Sequence, residues 1–357
     1  MDLLVLNTNL DAVSVMDTYE SFIWNDRYDR PGEFELYMSM TLSVLEYAKQ
    51  DYYIQSRDSD HVMIIENIKI ESDVEDGTHI TVTGRSLESI LDRRIVWGRL
   101  ILNGNLQNEI KNLLNTCIIS PADPDRRIDN FIFKESVDPS ITDLTIKGQY
   151  TGDNLLDIIE KICTEHGIGF KITLDNDKQF VFEFYAGVDR SYDQTEHPYV
   201  VFSPKFDNII NSNYIESKAA LKTVTLIGGE DQGSARKYTT VGGGSGLDRR
   251  ELFTDARDIS SDTGDGVVLT NEEYTALLQQ RGIEKLLENT DVTSFEGQAE
   301  TTVMFKYGED FSIGDIVQIA NEYGHETKAR IIEIVTSENE EGTSVYPTFA
   351  TITEEMI

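Results

Sequence analysis

The strongest constraint on the fold is an order of strand signals that occurs near both ends of the chain. VMIIENIKIESDVEDGTHITVTGRS (62–86) carries two β-branched, alternating runs around Asp76-Gly77, a residue pair that closes a tight hairpin. ARIIEIVTSENEEGTSVYPTFAT (329–351) repeats that plan around an acidic Gly-Thr turn. GEFEL and DYYIQ precede the first hairpin, and GQAET and GDIVQI precede the second. The shared order of a Gly-Glx strand, an acidic-led strand and an Ile-Ile-Glu hairpin predicts two copies of one small β-barrel or sandwich. Hairpins also resemble one another by physics alone, so coincidence is the competing reading.

Between these ends the periodicity changes. Residues 1–97 read as the first β-barrel domain, with ESFIWNDRY (20–28), EFELYMSM (33–40) and DYYIQS (51–56) alternating at strand period. Residues 98–200 read as an α+β subdomain. Its helices are NLQNEIKNLLN (105–115) and GDNLLDIIEKICTEHG (152–167), the second burying Leu155, Leu156, Ile158, Ile159 and Ile162 before Gly167 stops it. FKITLDNDKQFVFEFYAG (170–187) is then a hairpin, and SPADPDRRIDN (120–130) an exposed loop. Residues 201–230 and 298–357 form the second β-barrel domain. Residues 231–297 are a glycine-rich loop and a helix insertion, whose helix starts at a Thr270/Glu273 capping box.

With 357 residues the chain exceeds one usual core, and its 31 basic against 64 acidic residues give a net charge of −33. Phosphate contact needs a positive surface, so general nucleic-acid binding and anionic membranes are disfavoured. A surface that DNA must slide past without sticking is the constructive use of such acidity. The N-terminus lacks a basic region and a cleavage site and reads as a first strand, and no apolar run approaches the roughly 20 residues of a membrane span. Cys117 and Cys163 make no disulfide framework, which fits folding in a reducing cytoplasm.

Against this acidity the tetrapeptide LDRR occurs twice, in GRSLESILDRRIVWG (84–98) and GGGSGLDRRELFTDAR (242–257). The first predicts a helix capped by Ser86, with Leu87, Ile90, Leu91 and Ile95 on one face and Arg93 and Arg94 in its last turn, where cations complement the dipole. The second pair, Arg249 and Arg250, falls beside glycines in a flexible loop. The contexts differ, so a duplicated active site loses support.

Catalytic and metal motifs are missing from the sequence. His61, His79, His166, His197 and His325 are scattered without metal-ligand spacing. Cys163 and His166 lie three apart on a helix, but one extends an apolar face and the other ends the helix. GGGSG lacks the Lys-Ser/Thr of a phosphate loop, and the acidic clusters SDVED, LDNDK and SENEE sit at hairpin turns where solvated acids are the default. The sequence thus predicts no catalytic, metal or cofactor residue and no enzyme activity.

ESFIWNDRYDRPGEFELY, GRSLESILDRRIVWG, GDNLLDIIEKICTEHGIGFKI, FYAGVDRSYDQT, VVFSPKFDNIINSNY and FKYGEDFSIGDIVQIANEYG, in that order, resemble the ReqiPepy-type siphovirus tail proteins. The resemblance runs nearly end to end. It implies a mainly β, α+β fold of two tube-type β-barrels joined by α+β insertions, similar to the N-terminal hub region of tail-associated lysins. It further implies a structural hub of the tail tip or baseplate, in the virion and made in the host cytoplasm. Three copies then form a ring of six barrels whose acidic channel passes DNA only as cargo. The implied partners are the distal tail protein, the tape-measure protein and tip or fibre proteins, with Arg93, Arg94, Arg249 and Arg250 as interface cations. Longer relatives carry a peptidoglycan hydrolase or fibre region downstream, whereas this chain stops at Ile357. Two other readings stay open: a tail-associated peptidoglycan hydrolase, and the hub of a contractile tail-like injection particle.

Overall fold

Every second side chain of the first strands is apolar, and that alternation curls them around one core. β1 (Leu3–Leu6), β2 (Ala12–Met16), β3 (Ser21–Arg27), β4 (Glu33–Ser39), β5 (Tyr53–Ser56), β6 (Val62–Asp73) and β7 (Gly77–Ser86) pair in the order β3-β4-β7-β6-β5-β1-β2. Strand β4 shows the rule: Phe34, Leu36 and Met38 are buried while Glu33 and Glu35 face out. Both end strands contribute to the same interior, Met16 from β2 and Phe22 and Trp24 from β3. A four-residue helix, α1 (Val44–Tyr47), adds Val44 to it. This computed structural model describes residues 3–75, 77–262, 268–298, 304–323, 326–340 and 342–352. Asp76 of the predicted turn lies outside them, and Gly77 next to it has φ +86°.

The expected α-helix at SLESILDRRI is instead a 3₁₀ turn over Leu87–Arg93, with Arg94 extended beyond it. Ser86 caps nothing; its hydroxyl accepts from the Gly32 amide at 2.7 Å. A three-residue repeat puts Glu88 and Leu91 on one face, both fully buried, and leaves Ile95 exposed. The sequence reading assumed a 3.6-residue period and so turned Ile95 inward.

The α+β part runs β8 (Arg99–Asn105), α2 (Leu106–Leu114), β9 (Phe131–Lys134), α3 (Pro139–Thr142), β10 (Thr145–Thr151), α4 (Leu155–His166), β11 (Gly169–Leu174) and β12 (Phe180–Tyr185). Asn154 caps α4 by accepting from the Leu156 and Asp157 amides, and Gly167 ends it at φ +63°. The apolar face of α4 packs with α2 and the β11–β12 hairpin in one core. Two features were not anticipated: β9 adds to β12 in parallel, and β10 pairs with β8.

β13 (Val201–Phe202) and β14 (Ile210–Ser217) lead into an insertion of β15 (Val224–Gly228), β16 (Tyr238–Gly242), β17 (Glu251–Asp255) and α5 (Asn271–Leu287). The Thr270/Glu273 capping box starts α5 as the sequence predicts. β18 (Val292–Gln298), β19 (Ile316–Ala320), β20 (Glu326–Asn339) and β21 (Gly342–Thr351) are the remaining strands among the described residues. Sheet membership draws the insertion differently from the sequence reading. Val224–Gly228 pairs with β16 and β17, so it leaves the range 201–230 for the insertion, whereas β18 pairs with β14 and β21 in the main sheet. The glycine-rich stretch is a tied connection. The Gly243 amide donates to Thr223 O at 2.9 Å, and the Thr223 hydroxyl donates to Asp248 O at 3.1 Å.

The two β regions repeat one plan. The first pairs as β3-β4-β7-β6-β5-β1, the second as β14-β18-β21-β20-β19-β13. In each, one bulge interrupts the Ile-Ile-Glu segment, between Ile65 and Asn67 and between Ile331 and Glu333. The registers superpose: Ile65 opposes Gly84 as Ile331 opposes Phe349, and Trp24 opposes Phe34 as Tyr214 opposes Phe295. One difference is that β1 runs antiparallel to β5 while β13 runs parallel to β19. The halves are joined edge to edge, with Glu333–Asn339 of β20 pairing to Ser21–Arg27 of β3. The fold is therefore mainly β with α+β insertions. Its two curled units share one sheet, whose path among the described residues runs open from β14 to β2.

Candidate functional site

Three parts of the chain meet at Tyr28, just after β3. Its ring lies edge-on to Tyr185 at the end of β12, with centroids 5.2 Å apart, and the Arg330 guanidinium of β20 sits 5.3 Å from its centre. Its hydroxyl donates to Gly167 O at 3.2 Å. Glycines permit this approach. A Cβ on Gly169 would fall 2.5 Å from the Tyr28 ring, and one on Gly314, whose φ is +92°, would fall 2.3 Å from it. One aromatic ring thus locks both β units to the α+β part.

Beside Tyr28 lies a polar cleft of about 590 Å³, lined by Asp26, Asp60, His61, Lys171, Arg190 and Asp315 among others. The buried turn at Leu87–Arg93 supplies Glu88, whose Oε1 lies 3.0 Å from His61 Nδ1 and accepts from the Ile172 amide at 2.8 Å. Asp26 accepts from Trp24 Nε1 at 2.8 Å and from the Ser59 hydroxyl. Lys171 reaches Asp60 at 2.9 Å and Glu183 at 3.5 Å, and Arg190 meets Asp315 at 2.7 Å.

Burial opposes charge on His61, but the Glu88 and Asp26 carboxylates outweigh it and raise the imidazole to about 9. Burial also works against ionised Glu88, yet His61 and the Ile172 amide hold it below the usual carboxylate range. For Asp26 burial prevails and its carboxyl is pushed up. At neutral pH His61 is a cation locked in an ion pair. An imidazolium has no lone pair to act as a base, and the pair ties the Leu87–Arg93 turn to the segment before β6.

A second cleft, of about 200 Å³, lies between α4 and α5 and includes Glu160 and Glu284. Burial pushes both carboxyls up to about 7. Glu284 accepts from the Tyr150 hydroxyl at 3.4 Å and sits 3.4 Å from Arg281 Nε. Cys163 nearby is fully buried, and burial pushes its thiol well up, which leaves it inert as a nucleophile. Among the described residues no group of His, Cys, Asp or Glu has the arrangement of a metal site.

The four arginines singled out in the sequence are not brought together as one site. Arg93 reaches Asp51 at 3.7 Å. Arg94 donates to the backbone oxygens of Arg126 and Arg93, each at 2.9 Å. Arg249 pairs with Glu251 at 2.6 Å, and Arg250 donates to Lys218 O in the insertion. What the sequence reading passed over is a third Asp-Arg-Arg, at 125–127 in SPADPDRRIDN. Its Arg126 donates to Ile95 O at 2.6 Å and stacks 4.2 Å from the centre of the Trp97 ring. The repeated DRR was the available signal. The His61–Glu88 pair gave none, because 27 positions separate the residues.

Comparison with known proteins places this geometry. The sequence profile described as Siphovirus ReqiPepy6 Gp37-like protein matches residues 2–350. No curated protein matches the chain in sequence. Among solved structures, the 43 kDa tail protein of prophage MuSo2 from Shewanella oneidensis is similar with a TM-score of 0.61 at 12% identity, covering 100% of this chain and 99% of that one. Prophage tail protein gp18 from Listeria monocytogenes EGD-e gives 0.57 at 13% identity, covering 99% and 95%. The tail protein from Neisseria meningitidis MC58 gives 0.56 at 11% identity, covering 98% and 95%. At these identities the likeness is one of fold.

Proposed function

We propose, from the premise that this chain belongs to the Siphovirus ReqiPepy6 Gp37-like family of phage tail proteins, that it is the structural hub of a tail tip or baseplate. In this reading three copies close head to tail into a ring of six β units. The ring continues or closes the tail tube and anchors tip proteins, and it works without catalysis. The net charge of −33 supports an acidic channel that repels DNA phosphates during passage. Distal tail, tape-measure and tip or fibre proteins are the neighbours it would meet.

The observation that carries the ring is the join between the two repeats. β20 uses Glu333–Asn339 to pair with β3. The equivalent segment of the first repeat, Asn67–Asp73 of β6, pairs among the described residues only with β7. The equivalent of β3 is β14, which among the described residues pairs only with β18. Each copy thus keeps one partner edge at each end of its double unit, and an unpaired edge is a template for strand addition. Carrying the internal register over sets Asn67 opposite Ser217 and Asp73 opposite Asn211 of the next copy. In that register Ile70, 46% exposed, opposes Tyr214, 37% exposed. Within the chain the counterparts of this pair, Thr336 and Trp24, already oppose each other.

Light scattering after size exclusion, together with electron-microscopic class averages of the concentrated protein, tests this. The expected result is a mass of three chains and threefold rings with a central hole. Successive N–H groups of a strand point to opposite sides, so of Lys69→Pro and Ile70→Pro one removes an outward donor without touching the β7 ladder. That variant should remain a folded monomer. A wild type that stays monomeric at every concentration overturns the reading.

A further inference from the structure

The tail hub is strongly acidic, yet two guanidinium groups stand together on its surface without an acid. Arg94 and Arg126 come from different segments, the end of the Leu87–Arg93 turn and the turn at Pro124–Arg126. Their hydrogen bonds run to backbone oxygens, Arg126 O and Arg93 O for Arg94 and Ile95 O for Arg126, and Arg126 also stacks on Trp97 and reaches the Cys117 thiol. Among the described residues neither has a carboxylate within 4.0 Å. Their sequence neighbours do: Arg93 has Asp51, and Arg127 has Asp129 at 3.0 Å.

The surroundings are those of a contact site. Trp97 is 59% exposed with Arg126 stacked on it, and Ile95 is exposed beside it. Exposed tryptophan, arginine and isoleucine around a preorganised fork are the composition of an interface centre, where apolar area and charge are desolvated together. The backbone carbonyls that hold both guanidiniums fix their planes, so their remaining N–H groups are presented as donors. Burial, followed by the two neighbouring arginines, lowers the Arg94 guanidinium from its ordinary value, and an incoming anion would relieve that repulsion.

We infer that Arg94, Arg126 and Trp97 form a receptor for a carboxylate-bearing segment of a second copy of this chain. The inference rests on the ring reading above and adds an ionic contact between copies. A copy is the fitting occupant because the chain carries 64 acids against 31 bases, a net charge of −33. Duplex DNA is disfavoured as occupant, since the chain's net charge of −33 repels phosphate. Of the two LDRR pairs, Arg94 with Arg126 makes the contact, while Arg93 and Arg249 pair with Asp51 and Glu251 of their own chain and Arg250 donates to Lys218 O.

The test is sedimentation velocity of wild type, Arg94→Gln/Arg126→Gln and Trp97→Ala at about 50 mM and about 500 mM salt, with circular dichroism to check folding. Trp97→Ala removes no backbone hydrogen bond and guards against a double variant that misfolds. We expect both variants to weaken self-association about tenfold or more at low salt, high salt to bring the wild type to the double variant's level, and Trp97 to lose acrylamide quenching on assembly. Variants that assemble like the wild type refute the receptor and leave the ring intact. A wild type that never assembles removes the ring and the receptor with it. Arginine-dependent binding of a 20-base-pair duplex at physiological salt would assign the site to DNA and overturn the proposal.

Discussion

Glu88→Gln isolates the charge that holds the junction together. The substitution keeps the shape and an oxygen for the Ile172 amide but removes the carboxylate 3.0 Å from His61 Nδ1. In the folded protein His61 titrates at about 9, against an ordinary 6.5, so about 2.5 pH units separate the folded and unfolded states. At roughly 1.4 kcal/mol per unit this is about 3 kcal/mol of stability. Because the folded value is raised, that contribution is complete below pH 6.5 and disappears as pH rises through 9. Glu88 is lowered, so its share is present above the ordinary carboxylate range and disappears as pH falls through its folded value. The wild type should therefore be most stable between about pH 5 and 6.5. Glu88→Gln should lose about 3 kcal/mol at pH 6 and little at pH 10. Urea unfolding followed by tryptophan emission reads this locally, because buried Trp24 donates to Asp26 in the same network. A loss of equal size at pH 6 and pH 10, or none at pH 6, would refute the ion-pair account.

Two further outcomes follow from the same contacts. Gly314→Ala must place a methyl 2.3 Å from the Tyr28 ring at φ +92° and should cost about 2–4 kcal/mol, whereas Gly77→Ala, at φ +86° with nothing within 4 Å, should cost about 1 kcal/mol; urea midpoints separate the two. The enzyme alternative is tested at the cleft of Glu160 and Glu284, whose carboxyls are both pushed up to about 7, and purified protein is expected to release no fragments from peptidoglycan. Release that Glu160→Gln abolishes would replace the structural reading by a hydrolase.

Local rules carried the strands and the longer helices. Alternation at EFELYMSM, the Asn154 cap and the Thr270 capping box each act within a few residues, so the sequence displays them directly. The repeat was legible because a hairpin and its preceding strand keep their order of residue types in both halves. Long-range pairing was not legible. Nothing in FIFK announces that β9 joins β12 in parallel, and nothing in ESFIW announces that β3 takes β20 as its neighbour. The turn at Leu87–Arg93 misled because its period is set by where Glu88 must reach, toward His61 and the Ile172 amide, and those partners lie far off in sequence. For the same reason the arginine pairs could be noticed but not sorted. Sorting them needed Trp97 and Arg126 in space.

The head-to-tail join of β6 to β14 is tested most directly by a disulfide. Residues directly opposite in an antiparallel pair have Cα atoms about 4.5–5.5 Å apart, within the span of a disulfide. The native thiols, Cys117 and Cys163, are buried and should stay silent. Ile70→Cys/Tyr214→Cys, oxidised under assembling conditions and run without reductant, should give covalent dimers and trimers and stop at three chains. Monomers alone, or a ladder that continues past three, would contradict the ring.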